Sequence, residues 1–389
     1  MSRLDILHLT TFLQGGAGRA ITDLACAQHA AGHGVTVVTS HSPVGEFGNY
    51  PHYLERLRAA GVEVVLCDSL FVRDRAAHEH VVERLVEQGV VSGRDARRGF
   101  VVHAHAAVPA SIGRELLART GRRAPVVQTQ HGWGISKTAE QAAYDVDVLK
   151  RMDRIITTSR ATAQLVGDYG APRGAITVIP CGLPAAEAGE VPSEAEFLNR
   201  MRAGGARIIG CIGSVTANKN QRLLLDALEW IEDPSLMVLF IGEGSEDLMD
   251  EARERGIEDQ VISYGYQPDA ARWLPLFDLL VVPSRTEGQG LVALEAFRAG
   301  VPVVASHIPA FTELIDDGRN GFVFAPMTAG ALAGAIRRAL ALPAAVKDQL
   351  LAAARQQFER DFTLDAMVRR HEELYREVIE ARRAVGIAQ

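Results

Sequence analysis

Short apolar, β-branched runs alternate with amphipathic stretches along the first half of the chain. The apolar runs predict seven strands, at residues 4–10, 35–40, 62–68, 100–105, 126–131, 154–159 and 176–180. Helical spacing of apolar residues is clearest at 19–31, 76–91 and 108–120. Near-continuous apolar strands separated by helices are typical of a parallel sheet covered on both faces, so this half predicts a doubly wound α/β domain.

The alternation stops at residues 185–206, where small and charged residues predominate, and then restarts. The later runs predict six further strands, at 207–214, 236–242, 261–265, 279–284, 301–306 and 321–325. We therefore predict a second doubly wound domain. The expected organisation is a first domain at 1–184, an interdomain hinge region at 185–206, a second domain at 207–360 and a C-terminal helix at 361–389.

Charge is distributed unevenly between the two halves. The chain of 389 residues carries a net charge of −7, which disfavours a general nucleic-acid binder, and we predict no nucleic-acid partner. Residues 1–190 have a balance of +1 and residues 191–389 one of −8. Ten of the twelve histidines also lie in the first half, which indicates two domains of different chemistry.

The four cysteines, Cys26, Cys67, Cys181 and Cys211, form no C-x-x-C pair. That spacing argues against a zinc ribbon or a disulfide framework and fits a reducing compartment. The amino terminus lacks the apolar core of a signal peptide, and no apolar run approaches the ~18–20 residues that a membrane span needs. We predict a cytoplasmic location, and leave open both peripheral contact with the inner face of a membrane and the oligomeric state.

A glycine-rich junction, Gly15-Gly16-Ala17-Gly18-Arg19, follows the first predicted strand and opens a helix. Such a junction offers unpaired backbone N–H groups and the positive end of a helix dipole, which together favour an anion. It matches neither the G-x-G-x-x-G dinucleotide fingerprint nor a P-loop. A tight turn without a ligand is an equally good interpretation.

Two histidines, His103 and His105, end the fourth predicted strand. Their spacing puts both on one face if the strand persists there, and the carboxyl ends of parallel strands are where open α/β sheets bind ligands. His131, at the end of the next strand, could add a third metal ligand, but no carboxylate or cysteine nearby completes a familiar pattern. We predict no metal, and one buried, hydrogen-bonded histidine beside one that faces the site.

The most specific motif is PSRTEGQGLVALEA at residues 283–296. A strand gives way to a glycine-rich loop with Glu287, and the following helix carries Glu295 eight positions later. Gly288 and Gly290 would let a phosphate approach backbone N–H groups, and carboxylates accept hydrogen bonds from sugar hydroxyls. The arrangement suits a nucleotide sugar; the acid–base pair of a hydrolase and a chance surface pair are the alternatives.

A lysine, Lys219, lies in the loop after the first strand of the second domain. It would stand at the same carboxyl edge as Glu287, where a cation neutralises a diphosphate leaving group. A solvated loop lysine is the alternative.

Taken together, these segments resemble the family-four retaining glycosyltransferases, also called glycosyl transferases group 1. Those enzymes have the GT-B fold, in which two Rossmann-like, doubly wound parallel-sheet domains face a central cleft. The family's E-x7-E motif falls on Glu287 and Glu295, its glycine- and lysine-containing loop on residues 213–219, and its strand-end histidine on His105. The final helix of the family commonly crosses back onto the first domain, here at residues 361–389.

The resemblance implies a nucleoside diphosphate sugar held mainly by the second domain, without a required cofactor or metal. It implies catalytic roles for His105, Lys219 and Glu287, and an acceptor side that includes Arg19 and His131. The donor-binding residues that it implies are Gly15, Gly16, Ser214, Lys219, Tyr266, Gln267, Glu287, Gly288, Gln289, Gly290, Leu291 and Glu295.

Within that set, the resemblance places Glu295 at the ribose, Lys219 with the amides of residues 290 and 291 at the diphosphate, and Glu287 beside the donor sugar. Three features depart from the family pattern, one of which is the absence, at residues 308–311, of a glycine often seen before the second helix. Ser214 stands where an arginine is common, which leaves Arg222 or Arg285 to supply the cation, and Gln289 replaces a phenylalanine. We interpret both as changes of specificity.

The function expected from the resemblance is transfer of a hexose-type sugar, with retention, to a hydroxyl of a glycan, a lipid-linked acceptor or a small molecule. A sugar-nucleotide 2-epimerase of the same architecture and a non-catalytic nucleotide-sugar-binding protein are the two alternatives.

Overall fold

The structure, a computed structural model, describes residues 3–91, 98–134, 137–185, 192 and 196–387. The chain forms two compact units. Unit 1 comprises Met1–Pro184 and Thr363–Gln389, and unit 2 comprises Ala185–Phe362.

Each unit is built on a parallel sheet. The seven-stranded sheet of unit 1 has the order β3-β2-β1-β4-β5-β6-β7, and the six-stranded sheet of unit 2 has the order β10-β9-β8-β11-β12-β13. The strands are β1 (Leu4–Leu9), β2 (Gly34–Thr39), β3 (Glu63–Leu66), β4 (Gly99–Ala104), β5 (Val126–Gln130), β6 (Arg154–Thr157), β7 (Ile176–Val178), β8 (Arg207–Ile212), β9 (Leu236–Ile241), β10 (Val261–Ser263), β11 (Leu279–Val282), β12 (Val303–Ser306) and β13 (Phe322–Phe324). The predicted pair of doubly wound parallel sheets is confirmed.

Fourteen α-helices connect and follow these strands within the described residues. They are α1 (Gly15–Ala30), α2 (Pro51–Ala59), α3 (Arg75–Glu87), α4 (Ala107–Thr120), α5 (Ala139–Leu149), α6 (Arg160–Asp168), α7 (Glu196–Ala203), α8 (Arg222–Ile231), α9 (Ser245–Arg255), α10 (Leu291–Ala299), α11 (Pro309–Leu314), α12 (Ala329–Leu340), α13 (Ala344–Asp361) and α14 (Leu364–Ile387).

The strands end earlier than the apolar pattern predicts. Each strand of unit 1 stops one or two residues before its expected carboxyl end, because the chain leaves the ladder there while its side chains remain covered. Thr10, Ser40 and His105 are such buried residues just beyond β1, β2 and β4. Burial, which the hydrophobic pattern reports, therefore extends past the last residue of these strands into the loops at the carboxyl edge, where Thr10 and His105 still donate their backbone N–H groups to carbonyls of neighbouring strands.

The segment predicted as a hinge region, 185–206, contains helix α7, whose Leu198 is fully buried. Residues 186–191 and 193–195 of that segment lie outside the described part of the chain. The carboxyl-terminal helix α14 packs against α1 and β4 in unit 1. The first residue of α14, Leu364, donates its backbone N–H to the carbonyl of Leu183 at 2.8 Å. Helix α14 therefore begins beside the place where the first segment of unit 1 ends.

The buried cores are separate in the two units. In unit 1 the side chains of β1, β2, β4 and β5 meet those of α3 and α4, and in unit 2 α8 and α12 cover the central strands. Among the described residues, no single helix is long and apolar enough to cross a membrane. In the part of the chain that the structure describes, one pair of consecutive helices, α12 and α13, is long and apolar enough when the two are counted together. The two helices are bent by 106° relative to each other.

Candidate functional site

Both sheets reverse their winding beside the first strand. In unit 1, β1 lies between β2 and β4, and in unit 2, β8 lies between β9 and β11. Loops that leave such neighbouring strands in opposite directions open a crevice at the carboxyl edge, where α/β sheets bind ligands. Residues singled out in the sequence, among them His103, Lys219 and Glu287, lie beside these two reversal points, and we describe the site unit by unit.

In unit 2, an ion pair joins the loop after β8 to the loop after β11. The ammonium nitrogen of Lys219 lies 2.6 Å from Oε1 of Glu287, and the hydroxyl of Ser284 donates to the same oxygen at 2.8 Å. The lysine side chain is 34% exposed and that of Glu287 is 12% exposed. The pair is thus partly withdrawn from water, where Coulomb attraction is stronger than between fully solvated charges.

Polar side chains pin the two loops together around this pair. Asn218 donates to the carbonyl of Thr286 at 3.0 Å and accepts from the Thr286 hydroxyl at 2.7 Å. The backbone N–H of Arg285 donates to the carbonyl of Asn218 at 2.7 Å, and Asn220 donates to the carbonyl of Pro283 at 3.2 Å. These bonds hold the two loops side by side in a fixed alignment. The backbone therefore places Lys219 next to Glu287.

The amino terminus of α10 is shaped by Gly290. Its φ of +81° lies in the left-handed region, and a Cβ atom there would overlap the ring of Phe311. Only glycine fits both conditions, and the first turn of α10 follows it, where the helix dipole favours an anion. Glu295 is buried on the same helix, and Gln289 is buried in the preceding loop.

The remaining predicted donor residues lie on neighbouring loops of unit 2. Tyr266 is 41% exposed, and Gln267 donates to the carbonyl of Tyr264 at 3.2 Å. Gln221 donates to the carbonyl of Ser214 at 3.0 Å, which turns that loop inward. Of the two arginines considered as replacements for the missing cation, Arg222 pairs with Glu251 at 2.8 Å and Arg285 donates to Asn220 at 3.1 Å.

In unit 1, the reversal point is occupied by histidines. His8 on β1 lies beside His103 on β4 in register, and His105 follows β4. His131 comes directly after β5, and His371 lies on α14. The rings of His103 and His105 are 4.1 Å apart between centroids, and those of His8 and His105 are 5.2 Å apart.

Hydrogen bonds connect these rings in a row. Nε2 of His8 lies 2.8 Å from the side-chain oxygen of Gln28, and Nδ1 of His8 lies 3.0 Å from Nε2 of His105. Nδ1 of His105 lies 3.1 Å from Nε2 of His131. The sequence predicted one buried, hydrogen-bonded histidine and one that faces the site. His103 fits the first description, because it is buried and bonded to Thr129 and Tyr375, whereas His105 is also buried and has both ring nitrogens hydrogen-bonded to other histidines.

Burial keeps this histidine cluster uncharged. Burial lowers the pKa of His8, His131 and His371 to about 4, against an ordinary value of 6.5. Burial, together with the neighbouring imidazoles, holds the pKa of His103 and His105 well below the ordinary value. At neutral pH each ring therefore carries one proton and no charge.

Three of the rings, those of His8, His103 and His105, offer ligand atoms within 4.8 Å of one another, close enough to share an ion. All six of their ring nitrogens are engaged in hydrogen bonds, however. A cation would have to replace several of these bonds at once. Within the described residues the geometry therefore favours a hydrogen-bonded cluster over a metal centre.

The glycine junction of unit 1 lies at the start of α1. The Tyr53 hydroxyl donates to the carbonyl of Gly15 at 3.1 Å, and Gly16 forms part of the first helical turn. Arg19 lies 3.5 Å from the buried carboxylate of Asp23, which Arg56 also contacts. Arg19 is therefore held along α1.

Comparison with known proteins bears on both units. The family model described as Glycosyltransferase Family 4 matches residues 14–187, and the model described as Glycosyl transferases group 1 matches residues 206–341. A glycogen synthase from Mycobacterium tuberculosis strain H37Rv is 31% identical over 376 residues, which cover 90% of this chain and 87% of that protein. The chain belongs to glycosyltransferase family 4.

Other relatives and solved structures agree with this assignment. A D-inositol 3-phosphate glycosyltransferase from Nocardia farcinica is 29% identical over 57% of this chain and 54% of its own length. The Anabaena protein HepE, solved in complex with UDP-glucose, superposes with a TM-score of 0.80 at 18% identity, over 96% of this chain and all of that one. A sucrose-phosphate synthase from Thermosynechococcus elongatus gives 0.77 at 21% identity, over 97% and 100%. The predicted GT-B fold and glycosyltransferase class are confirmed.

Sequence reasoning missed two histidines of the cluster of this glycosyltransferase, His8 and His371, and two of its hydrogen-bond partners, Gln28 and Tyr375. One signal was present for His8, which is a polar residue in a mostly apolar strand and would have matched His103 had β1 and β4 been paired. Gln28 and Tyr375 lie on helices, and nothing in their spacing reveals that they meet.

Proposed function

We propose that this glycosyltransferase moves a hexose-type sugar from a nucleoside diphosphate sugar to an acceptor hydroxyl, with retention of the anomeric configuration. The observation that carries the proposal is the Lys219–Glu287 ion pair beside the glycine-initiated helix α10. It combines a cation, the amino terminus of a helix and a carboxylate at one sheet edge. Diphosphate and sugar hydroxyls are the ligands that those groups bind.

In this proposal the donor diphosphate competes with Glu287 for Lys219. When the Lys219 ammonium group exchanges its contact with the carboxylate for one with phosphate, Glu287 becomes able to accept hydrogen bonds from the hydroxyls of the sugar. Lys219 and the amides of residues 290 and 291 would then neutralise charge on the departing diphosphate, so the proposal needs no metal ion. Glu295 would hold the ribose, and Tyr266 and Gln267 would border the base.

Retention is assigned to attack on the same face of the sugar from which the diphosphate leaves, with a phosphate oxygen taking the proton of the acceptor. Glu287 is then an orienting carboxylate and forms no covalent bond to the sugar. His105 keeps its proposed place on the sugar and acceptor side of the reaction. We place the reaction in the cytoplasm.

The acceptor is proposed only as a hydroxyl compound. The names of the relatives span glycogen synthase, D-inositol 3-phosphate glycosyltransferase and lipopolysaccharide core mannosyltransferase, so they do not select one acceptor class. Complexes of HepE with UDP and with UDP-glucose support a nucleoside diphosphate sugar as the donor. These matches favour a transferase over the epimerase and the non-catalytic binding protein.

A thermal-shift series with UDP, GDP, ADP, dTDP and CMP tests the donor site. A nucleotide at about 100 times its dissociation constant adds about 2.7 kcal/mol to the free energy of unfolding, so the melting temperature of unit 2 should rise measurably. The same ligand should not stabilise the Glu295→Ala variant. Each shift is taken relative to the ligand-free melting temperature of the same variant, so a loss of basal stability cancels.

The matched control is Glu254→Ala, which removes an exposed glutamate on α9 of the same unit. It should respond to the nucleotide as the unmodified chain does. If the active nucleotide stabilises Glu295→Ala equally well, the assignment of Glu295 to the ribose is wrong. If no nucleotide shifts the unmodified chain, the proposed donor class is wrong.

A further inference from the structure

The histidine cluster of unit 1 contains a continuous chain of four side chains, which we call the imidazole chain: Gln28, His8, His105 and His131. Each link is a hydrogen bond of 2.8 to 3.1 Å. A neutral imidazole has one nitrogen that donates and one that accepts. Once the direction of one link is known, the direction of every later link follows.

The direction is determined at Gln28. The side-chain oxygen of Gln28 faces His8, and an amide oxygen can only accept, so Nε2 of His8 carries the proton. Nδ1 of His8 must then accept from Nε2–H of His105. Nδ1 of His105 must in turn accept from Nε2–H of His131. All three rings are thus Nε2–H tautomers, and Nδ1 of His131 is left with a lone pair.

Tyr375, on the carboxyl-terminal helix α14, holds Gln28 in this orientation. The amide nitrogen of Gln28 faces the Tyr375 hydroxyl at 3.5 Å, and that hydroxyl lies 2.6 Å from Nδ1 of His103. A hydroxyl that donates to His103 can accept from the Gln28 amide. Nε2 of His103 then donates to the Thr129 hydroxyl at 2.6 Å.

The open end of the imidazole chain lies at the carboxyl edge of the sheet. His131 follows β5 and is partly exposed, unlike His8 and His103, which are fully buried. Within the described residues, Nδ1 of His131 has no hydrogen-bond partner. A cavity of about 10 Å³, the space of a single water molecule, lies against His105, His131 and His371.

We propose that Gln28, His8 and Tyr375 are positioning residues that fix the direction of the imidazole chain, so that Nδ1 of His131 accepts a hydrogen bond from a hydroxyl of the sugar-bearing substrate. The hydrogen bond from a substrate hydroxyl to His131 rests on the proposed function. The tautomers of the three rings do not depend on it.

The surroundings of the chain favour hydrogen bonding over proton storage. Its buried end is an amide, and the groups that face it from β4, β5 and α14 are His103, Thr129, His371 and Tyr375. The charge of Glu372 contributes to raising the pKa of Tyr375, and that carboxylate is paired with His33 and Arg376. The lowered pKa of His131 is consistent with a ring that accepts a hydrogen bond without taking the proton.

Nitrogen NMR of ring-¹⁵N-labelled histidine tests the tautomers directly. In the full-length protein at pH 7.5, His8, His105 and His131 should each show a protonated Nε2 and an unprotonated Nδ1, with signals assigned through single His→Gln variants. Gln28→Leu should leave a mixture of tautomers in the three rings. Protons on Nδ1 in the unmodified protein would mean that the chain runs in the opposite direction, and the proposal would fail.

Gln128→Leu is the matched control, because Gln128 is a fully buried glutamine of the same sheet whose amide donates to Gln130 and, within the described residues, forms no hydrogen bond to the imidazole chain. It should leave the tautomers unchanged. Tyr375→Phe should broaden the tautomer distribution in the same three rings, since the partner of the Gln28 amide is lost. A single Nε2–H tautomer in both Gln28→Leu and Tyr375→Phe would exclude a positioning role.

The hydroxyl step is tested with UDP-glucose and UDP at saturation. The ¹⁵Nδ1 signal of His131 should move upfield with UDP-glucose and stay in place with UDP, which lacks the sugar hydroxyls. Binding is checked in parallel by thermal shift. If UDP-glucose stabilises the protein without moving that signal, the hydroxyl step is wrong; if it does not bind, the proposed donor fails while the tautomer result still decides the positioning role.

Discussion

The two sheet edges differ in charge although they share a topology. In unit 1 the strands at the reversal point carry uncharged imidazoles, and His8 and His103 are fully buried. In unit 2 the loops beyond the corresponding strands carry Lys219 and Glu287 as an ion pair that remains partly exposed. Removing a charge from water is costly, so the buried imidazoles of unit 1 are neutral and hydrogen-bonded, whereas the partly exposed loops of unit 2 hold an ion pair.

The largest expected effect of this difference is on the pH dependence of stability. His8, His131 and His371 have pKa values of about 4 in the folded protein and 6.5 when unfolded. Between these values the unfolded state binds more protons, so the free energy of unfolding of unit 1 falls as the pH falls, by about 2 kcal/mol per histidine from pH 7 to pH 5. Unit 2 contains a single histidine, the exposed His307.

Scanning calorimetry at pH 7, 6 and 5 should therefore show two transitions, of which that of unit 1 moves down faster. The transition of unit 2 can be identified because a destabilising variant of unit 2 lowers it selectively. Two transitions with equal pH dependence would show that the histidine cluster does not govern the stability of unit 1.

The next largest effect is expected from Glu287→Ala. Loss of the carboxylate that meets Lys219 should reduce sugar transfer at least about 1000-fold, or ~4 kcal/mol, while the protein stays folded. Glu287→Gln should be intermediate, because an amide can still accept from Ser284 but carries no charge. Consumption of the donor is measured, with Glu254→Ala as the control. Full activity in Glu287→Ala would exclude the assigned role.

Gly290→Ala should destabilise unit 2 through both backbone and packing. An alanine at φ +81° costs about 1 kcal/mol, and the overlap with the Phe311 ring adds about 1–3 kcal/mol. Gly318→Ala is a matched control, because Gly318 has a similar φ of +77° and nothing within 4 Å of the added Cβ. Denaturant titration gives both values. Equal losses in the two variants would show that Phe311 yields without cost.

The smallest effect is expected from Tyr375→Phe. Deleting the hydroxyl removes its hydrogen bond to His103 and should lower the free energy of unfolding of unit 1 by about 1 kcal/mol. The control Tyr169→Phe removes a hydroxyl from a tyrosine that is 51% exposed, and should change stability little. A larger loss in the control than in Tyr375→Phe would contradict the importance of the buried network.

The fold was largely predictable from the sequence, and the histidine cluster was not. Continuous apolar runs and helical apolar patterns are local, so the strands and helices of both units and their order along the chain could be predicted from short windows. The loop bearing Glu287 was also recognisable, because its glycines and carboxylates lie within one short segment. In contrast, the Gln28–Tyr375 contact joins residues 347 positions apart, and local patterns contain no information on such a pairing.

The join between Leu183 and Leu364 makes unit 2 an insertion in unit 1. The carbonyl and N–H that flank the inserted residues are already 2.8 Å apart, so the polypeptide departs and returns at one place. Exchanging residues 185–362 for the equivalent segment of a relative would cut no strand of the seven-stranded sheet. Under the proposed function, in which unit 2 holds the donor, chimeric proteins made at this junction would combine the acceptor preference of one parent with the donor preference of another.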